Sequence, residues 1–211
     1  RKDVLGENHR DTATSYNNIG NVYDDLGDYD KALEYHNKAL EIRKDVLGED
    51  HPNTAGSYNN IGNVYNNLRD YDKALEYYNK ALEIRKALLG ENHPDTATSY
   101  NNIGVIYDDL GEYDKALEYF IKALEIRKEV LGEKHPDTAS SYDNIGTIYA
   151  NLGEYDKALE FKNKALEITK EVLGEKHRDT AMSYNNIGIV YKNLGNYDKA
   201  LGFYFKALEI F

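Results

Sequence analysis

The chain has 211 residues, a net charge of -11 and a hydrophobic content of 41%, enough apolar material for a core. It has no cysteine, which excludes a disulfide framework and a thiolate metal site. No window approaches the ~18 apolar residues of a membrane span, no signal-peptide pattern opens the chain, and the acid excess repels a phosphate backbone.

A soluble, cytoplasmic protein without nucleic-acid or membrane partners is therefore expected. The chain repeats itself. The segment from Ser15 to Lys44 returns from Ser57, Ser99, Ser141 and Ser183, a period of 42 residues. Such a period signals an array of stacked supersecondary units. The opening RKDVLG matches Arg43–Gly48, and the closing KALEIF stops inside a unit. Both ends read as cuts through a longer natural or designed array.

Two helices are predicted per unit. In the first, Tyr16, Ile19, Gly20, Tyr23 and Leu26 form one stripe of a 3.6-residue period. LGDY at Leu26–Tyr29 then reads as a tight turn, with Gly27 supplying the positive φ of a helix C-cap. In the second unit Arg69 replaces that glycine, at an expected cost in stability. The second helix carries Ala32, Leu33, Ala39, Leu40 and Val46 as its stripe. Gly48 ends it, and Pro52 pre-sets the first turn of the next unit. Gly20 and Ala32 let the hairpin close tightly, and Ala39 admits the neighbouring unit. The pattern gives helix pairs over 12–47, 54–89, 96–131, 138–173 and 180–211, with 1–11 as the tail of a preceding unit. No strand-like alternation appears, so an all-α array occupying 1–211 as a single domain is expected.

These columns resemble the tetratricopeptide repeat. Its signature of an aromatic, Leu-Gly, an aromatic, Ala, an aromatic and a second Ala falls to Tyr16, Ile19-Gly20, Tyr23, Ala32, His36 and Ala39. The column of His36 continues as Tyr78, Phe120, Lys162 and Tyr204. The extended link IRKDVLGEDHPNTA at Ile42–Ala55 replaces the family's usual proline and resembles the 42-residue variety of kinesin light chains. The resemblance implies a right-handed superhelical α-solenoid whose first helices line a concave groove.

It also implies groove residues, the polar positions off the core stripe. These are Thr14, Asn17, Asn21 and Asp24-Asp25; then Asn59, Asn63 and Asn66; then Asn101, Val105 and Asp108; then Asp143, Thr147 and Ala150; then Asn185, Ile189 and Lys192. An Asn both donates and accepts, so a ladder of them suits the backbone of an extended peptide. The competing reading is that Asn18, Asn60, Asn102, Asn144 and Asn186 bond across helices. The groove begins polar and mildly acidic and turns apolar at Val105, Met182 and Ile189. A carboxylate clamp would need basic residues where Thr98 and Asn102 stand. The acidic-peptide mode of kinesin light chains would need positive charge before Lys192.

Other chemistry weighs little. His9, His51, His93, His135 and His177 recur once per unit, too far apart to share a zinc ion. Asp24-Asp25 and Asp108-Asp109 point about 100° apart on a helix and read as solvated. Tyr35, Tyr77 and Tyr119 read as edge-of-core packing. The expected function is a non-catalytic scaffold, without cofactor or metal, that binds a protein or peptide ligand. The alternative is a structural array that self-associates end to end, suggested by Gly202, Phe203, Phe205 and Phe211 in its last unit.

Overall fold

The computed structural model of the chain describes residues 8–210. The segment Arg1–Gly6, read above as the tail of a unit, and Phe211 lie outside them. Among the described residues the chain forms ten helices and no strand. They are α1 (Arg10–Asp25), α2 (Tyr29–Leu47), α3 (Pro52–Asn67), α4 (Tyr71–Leu89), α5 (Pro94–Asp109), α6 (Tyr113–Val130), α7 (Pro136–Asn151), α8 (Tyr155–Leu173), α9 (Arg178–Asn193) and α10 (Tyr197–Leu208). By contact the chain divides into two compact units, Arg1–Ile106 and Tyr107–Phe211.

Local chemistry sets the helix ends. The recurring histidines are N-caps: the Nδ1 atoms of His9, His51, His93, His135 and His177 each accept the backbone N–H two residues on, at 3.1 Å. Prolines at positions 52 and 136 occupy the first helical turn, where no amide hydrogen bond is lost. At the hairpin turn Gly27 has φ +74, and its N–H and that of Asp28 bond Asp24 O and Tyr23 O at 2.9 Å. Arg69 holds the same turn at φ 58, alone among the described non-glycine residues in having positive φ.

The core alternates between two kinds of contact. Inside a hairpin, the glycine column meets the variable column of the second helix. A Cβ on Gly62 would lie 2.7 Å from the Tyr78 ring, and one on Gly20 would lie 2.7 Å from His36. The close partner of Gly20 is thus His36, one turn beyond the Ala32 that the pattern suggested, though Ala32 is itself fully buried. Beside this contact the aromatics stack, Tyr23 on Tyr35, Tyr65 on Tyr77 and Tyr107 on Tyr119, each at 5.5 Å. Between hairpins of the first unit, Leu40 packs with Ala55, Tyr58, Ile61, Ala81 and Ile84. In the second unit Leu166, Ala181, Tyr184, Ile187 and Ala207 form the matching cluster.

Two stripe assignments change. Val46 is exposed, as are Leu88, Val130 and Val172 in its column. Six residues past Leu40 is a rotation of about 240°, which carries the side chain off the packed face. Ile42 is buried instead. Leu26 is the C-cap of α1 and is exposed, with Leu68, Leu152 and Leu194 alike at the ends of their helices.

The long link is pinned the same way each time. Thr54 Oγ1 donates to Gly48 O at 2.8 Å, Lys44 pairs with Glu49 at 2.8 Å, and Tyr58 OH donates to Glu49. The neighbouring ammonium and the phenol hold the Glu49 carboxyl below its ordinary pKa, and burial with that bond pushes Tyr58 up.

Candidate functional site

The polar face of the first helices is built on bonds between residues 43 apart. Asn60 Nδ2 donates to Asn17 Oδ1 at 2.7 Å, and Asn102 Nδ2 to Asn59 Oδ1 at 2.9 Å. In the second unit Asn186 Nδ2 donates to Asp143 Oδ2 at 3.0 Å. A second rung lies further along the helices, where Asn67 Nδ2 donates to Asp24 Oδ1 at 2.9 Å and Asn151 Nδ2 to Asp108 Oδ1 at 3.0 Å. Burial raises the Asp108 carboxyl, against the opposing effect of its bond to Asn151.

These rungs sort the residues picked out from sequence. Asn17, Asp24, Asn59, Asp108 and Asp143 accept bonds that hold one first helix to the next. Asn63 accepts from the buried Tyr78 hydroxyl at 2.7 Å, and Asn101 is also engaged. Among the described residues, the side chains of Asn21, Asn66 and Asn185 hold no such bond. Asn21 and Asn185 are exposed, as is Ile189, while Asn66 and Val105 are half-buried.

Three features escaped the sequence reading. The first is an ion pair under the face. Lys162, buried in the column of His36, reaches Asp143 Oδ1 at 3.1 Å, Asp143 O at 3.4 Å and Thr147 Oγ1 at 2.9 Å. The second is a column of arginines on the second helices. Arg43, Arg85 and Arg127 donate through Nη1 to Ser57, Ser99 and Ser141 at 2.6, 2.6 and 2.7 Å. The same atoms donate to Asn53 O, Asp95 O and Asp137 O at 3.1, 3.2 and 3.2 Å. Burial lowers the pKa of all three guanidinium groups, and for Arg127 the charge of Asp137 works against that shift.

The third feature is a cavity of about 290 Å³ between α7, α8 and α9, where Thr169 stands in the arginine column. Lys162 was visible in the column of His36, though not the Asp143 that it meets; comparing the column of Arg43 across the repeat would have exposed Thr169.

No group of three or more His, Asp or Glu side chains among the described residues could hold a metal ion. No helix among them is long and apolar enough to cross a membrane.

The family model described as tetratricopeptide repeat matches residues 1–45, 11–66, 53–129, 107–171 and 137–211. No curated protein matches the chain. Among solved structures, BtubC (BKLC) from P. vanneervenii is 28% identical, covering 91% of this chain and 76% of its own, with a TM-score of 0.79. A Podosopora anserina putative kinesin light chain with nearly identical repeats is 20% identical, covers 96% of each chain and has a TM-score of 0.78. A Rap protein complexed with competence and sporulation factor is 20% identical at a TM-score of 0.77, over 92% of this chain and 52% of its own. At 20% identity the last two bear on the fold alone, an all-α tandem helical-repeat solenoid.

Proposed function

We propose, for a chain that belongs to the tetratricopeptide repeat family along its full length, that the first-helix face in each compact unit binds an extended segment of a protein partner. The family commonly mediates protein–protein interaction and is generally non-catalytic. One observation carries the reading to this face: the Asn rungs spend one set of polar groups on alignment and leave another set unspent beside it. Asn21 and Asn66 in the first unit, and Asn185 in the second, keep amide donors and acceptors available to a peptide backbone. Val105 and Ile189 supply apolar contact, so a partner segment with a polar or basic part and an apolar part fits the face. The Rap protein of this fold is solved complexed with competence and sporulation factor, which supports a ligand-binding role for the fold.

The test is a peptide-display screen on the parent and on two variants, Asn21→Ala/Asn66→Ala and Asn185→Ala/Ile189→Ala. These substitutions leave the rungs intact, so a loss of binding is not a loss of fold. Enrichment on the parent that falls at least tenfold on a variant supports the face. Enrichment indifferent to both variants, or none, overturns it.

A second reading rests on apolar ends. Leu208 is 67% exposed, whereas Leu166 in the same column is 8% exposed and packs on Tyr184 and Ile187. Ile19 is 39% and Val22 57% exposed, whereas Ile61 and Val64 are fully buried. The α10 end of one copy and the α1 end of another thus offer the two halves of an internal joint, a match that supports head-to-tail self-association as the alternative reading.

A further inference from the structure

In the joint between α8 and α9 an otherwise repeated cation is missing from the sequence while its acceptors are kept. Ser141 shows the filled arrangement: its hydroxyl donates to Asp137 O at 3.2 Å and its oxygen accepts from Arg127 at 2.7 Å. Ser183 repeats the first half, donating to Asp179 O at 3.0 Å. Its lone pairs face Thr169, whose own hydroxyl proton is already given to Leu166 O at 3.0 Å, and the two hydroxyl oxygens lie 3.4 Å apart. Ser183 Oγ therefore keeps an acceptor site with no strong donor opposite it.

Thr169 lines a cavity of about 290 Å³ at this joint. That is room for a side-chain head group and not merely for one water, whose share of liquid volume is about 30 Å³. Ala165, Thr169 and Ser183 form its buried part, and the exposed Ser140, Asp179 and Met182 line its opening on the first-helix face. Two carboxylates border it. Asp143 is compensated by Lys162 at 3.1 Å, and Asp179 has the His177 ring near it, at 3.8 Å. Asp179 is the counterpart of Asp137, whose charge favours Arg127 in the joint before.

We propose that this cavity takes the guanidinium of an arginine side chain presented by a peptide partner, with Ser183 Oγ and Asp179 as acceptors. The proposal rests on the reading that partners bind the first-helix face, because the cavity opens there. A planar guanidinium suits a serine hydroxyl, a backbone carbonyl and a carboxylate together, as a compact ammonium does not. The chain already uses this recognition three times with its own arginines.

Met182 is the single methionine of the chain, so protein labelled with 13C at the methionine methyl carries one reporter at the cavity mouth. The probe is N-acetyl-L-arginine amide, with the citrulline counterpart as an uncharged control of equal shape. The expected result is a saturable Met182 shift with the arginine probe and at least tenfold weaker binding of citrulline. Thr169→Arg refills the joint from within and should abolish the shift, with a melting temperature at or above the parent's showing that it is folded. Ser183→Ala should weaken the probe by about tenfold, the worth of one hydrogen bond to a charged group.

An unmoved Met182 signal, an equal response to citrulline, or a Thr169→Arg protein that responds like the parent overturns the proposal. The outcomes stay separable from the broader reading. If the display screen still enriches peptides while Met182 is silent, only the arginine cavity fails. If Met182 responds but no extended peptide is enriched, the cavity stands and the face reading fails.

Discussion

Arg69 occupies a backbone position that its neighbours in the repeat give to glycine. A left-handed conformation costs an L-residue roughly 1–2 kcal/mol, and the greater freedom of glycine in the unfolded chain returns about half of that. Arg69→Gly should therefore stabilise the protein by about 1 kcal/mol, read as a rise of about 2–4 °C in a thermal melt. An unchanged or lower melt would show that the arginine makes a compensating contact. His36 is the other misfit. It is buried, its Nδ1 has no hydrogen-bond partner, and burial lowers its pKa below 6.5. The unfolded chain therefore takes up a proton first as the solution is acidified, so stability is full above about pH 6.5 and falls as pH drops toward the lower folded value. In the next unit Tyr78 fills the same place and bonds Asn63, and Asn21 stands in the equivalent position beside His36. His36→Tyr should add about 1 kcal/mol and flatten the acid limb of a stability–pH curve. A curve of unchanged slope would point to other groups. The turn glycines and Arg69 were legible from composition at fixed positions, because a positive φ is a demand on one residue. The strain at His36 was not, because it depends on what the neighbouring helix leaves unpaired.

At the scale of the helix pair, the fourth repeat has exchanged two residues together. Where α5 carries Asn101 and α6 carries Phe120, α7 carries Asp143 and α8 carries Lys162. Removing either partner leaves a largely desolvated charge, which costs about 3 kcal/mol for a buried pair. Asp143→Asn and Lys162→Phe should each destabilise by about that much. The double variant restores the Asn–Phe pairing of the third repeat and should recover at least about 2 kcal/mol as coupling. Additive losses in urea melts would mean that the two charges are independently solvated. The stripe of Tyr16, Ile19 and Gly20 made the helices legible, and the 42-residue period made the columns legible. Neither said which columns meet. The Asn rungs tie residues 43 apart, so the column of Asn17 is occupied by the column of Asn60, and part of what the sequence offered as ligand-binding surface is spent on joining helices.

For the whole molecule, stability comes from neighbouring repeats contacting one another. Leu201, Phe205 and Leu208 on α10 are 51%, 60% and 67% exposed. Head-to-tail association should appear as a mass that rises with concentration in light scattering, and Leu208→Glu should raise the dissociation constant at least tenfold. A parent that stays monomeric at the highest soluble concentration removes that reading. The fold class was fully readable because every repeat states it again. The proposed partner-binding side was readable only as a face, because single departures such as Thr169 are hidden by a repeating pattern.

The rungs, the arginine bonds and the pinned links all run from one repeat to the same place in the next, and this makes whole repeats interchangeable. Excision of residues 57–98 would set Arg43 opposite Ser99 and Glu49 beside Tyr100, the same residue types that meet in the intact chain. Loss or gain of such a block would give a shorter or longer chain in which these bonds are kept. The array can thus change its reach in whole steps of one repeat, provided that Asp143 and Lys162 of the fourth travel together.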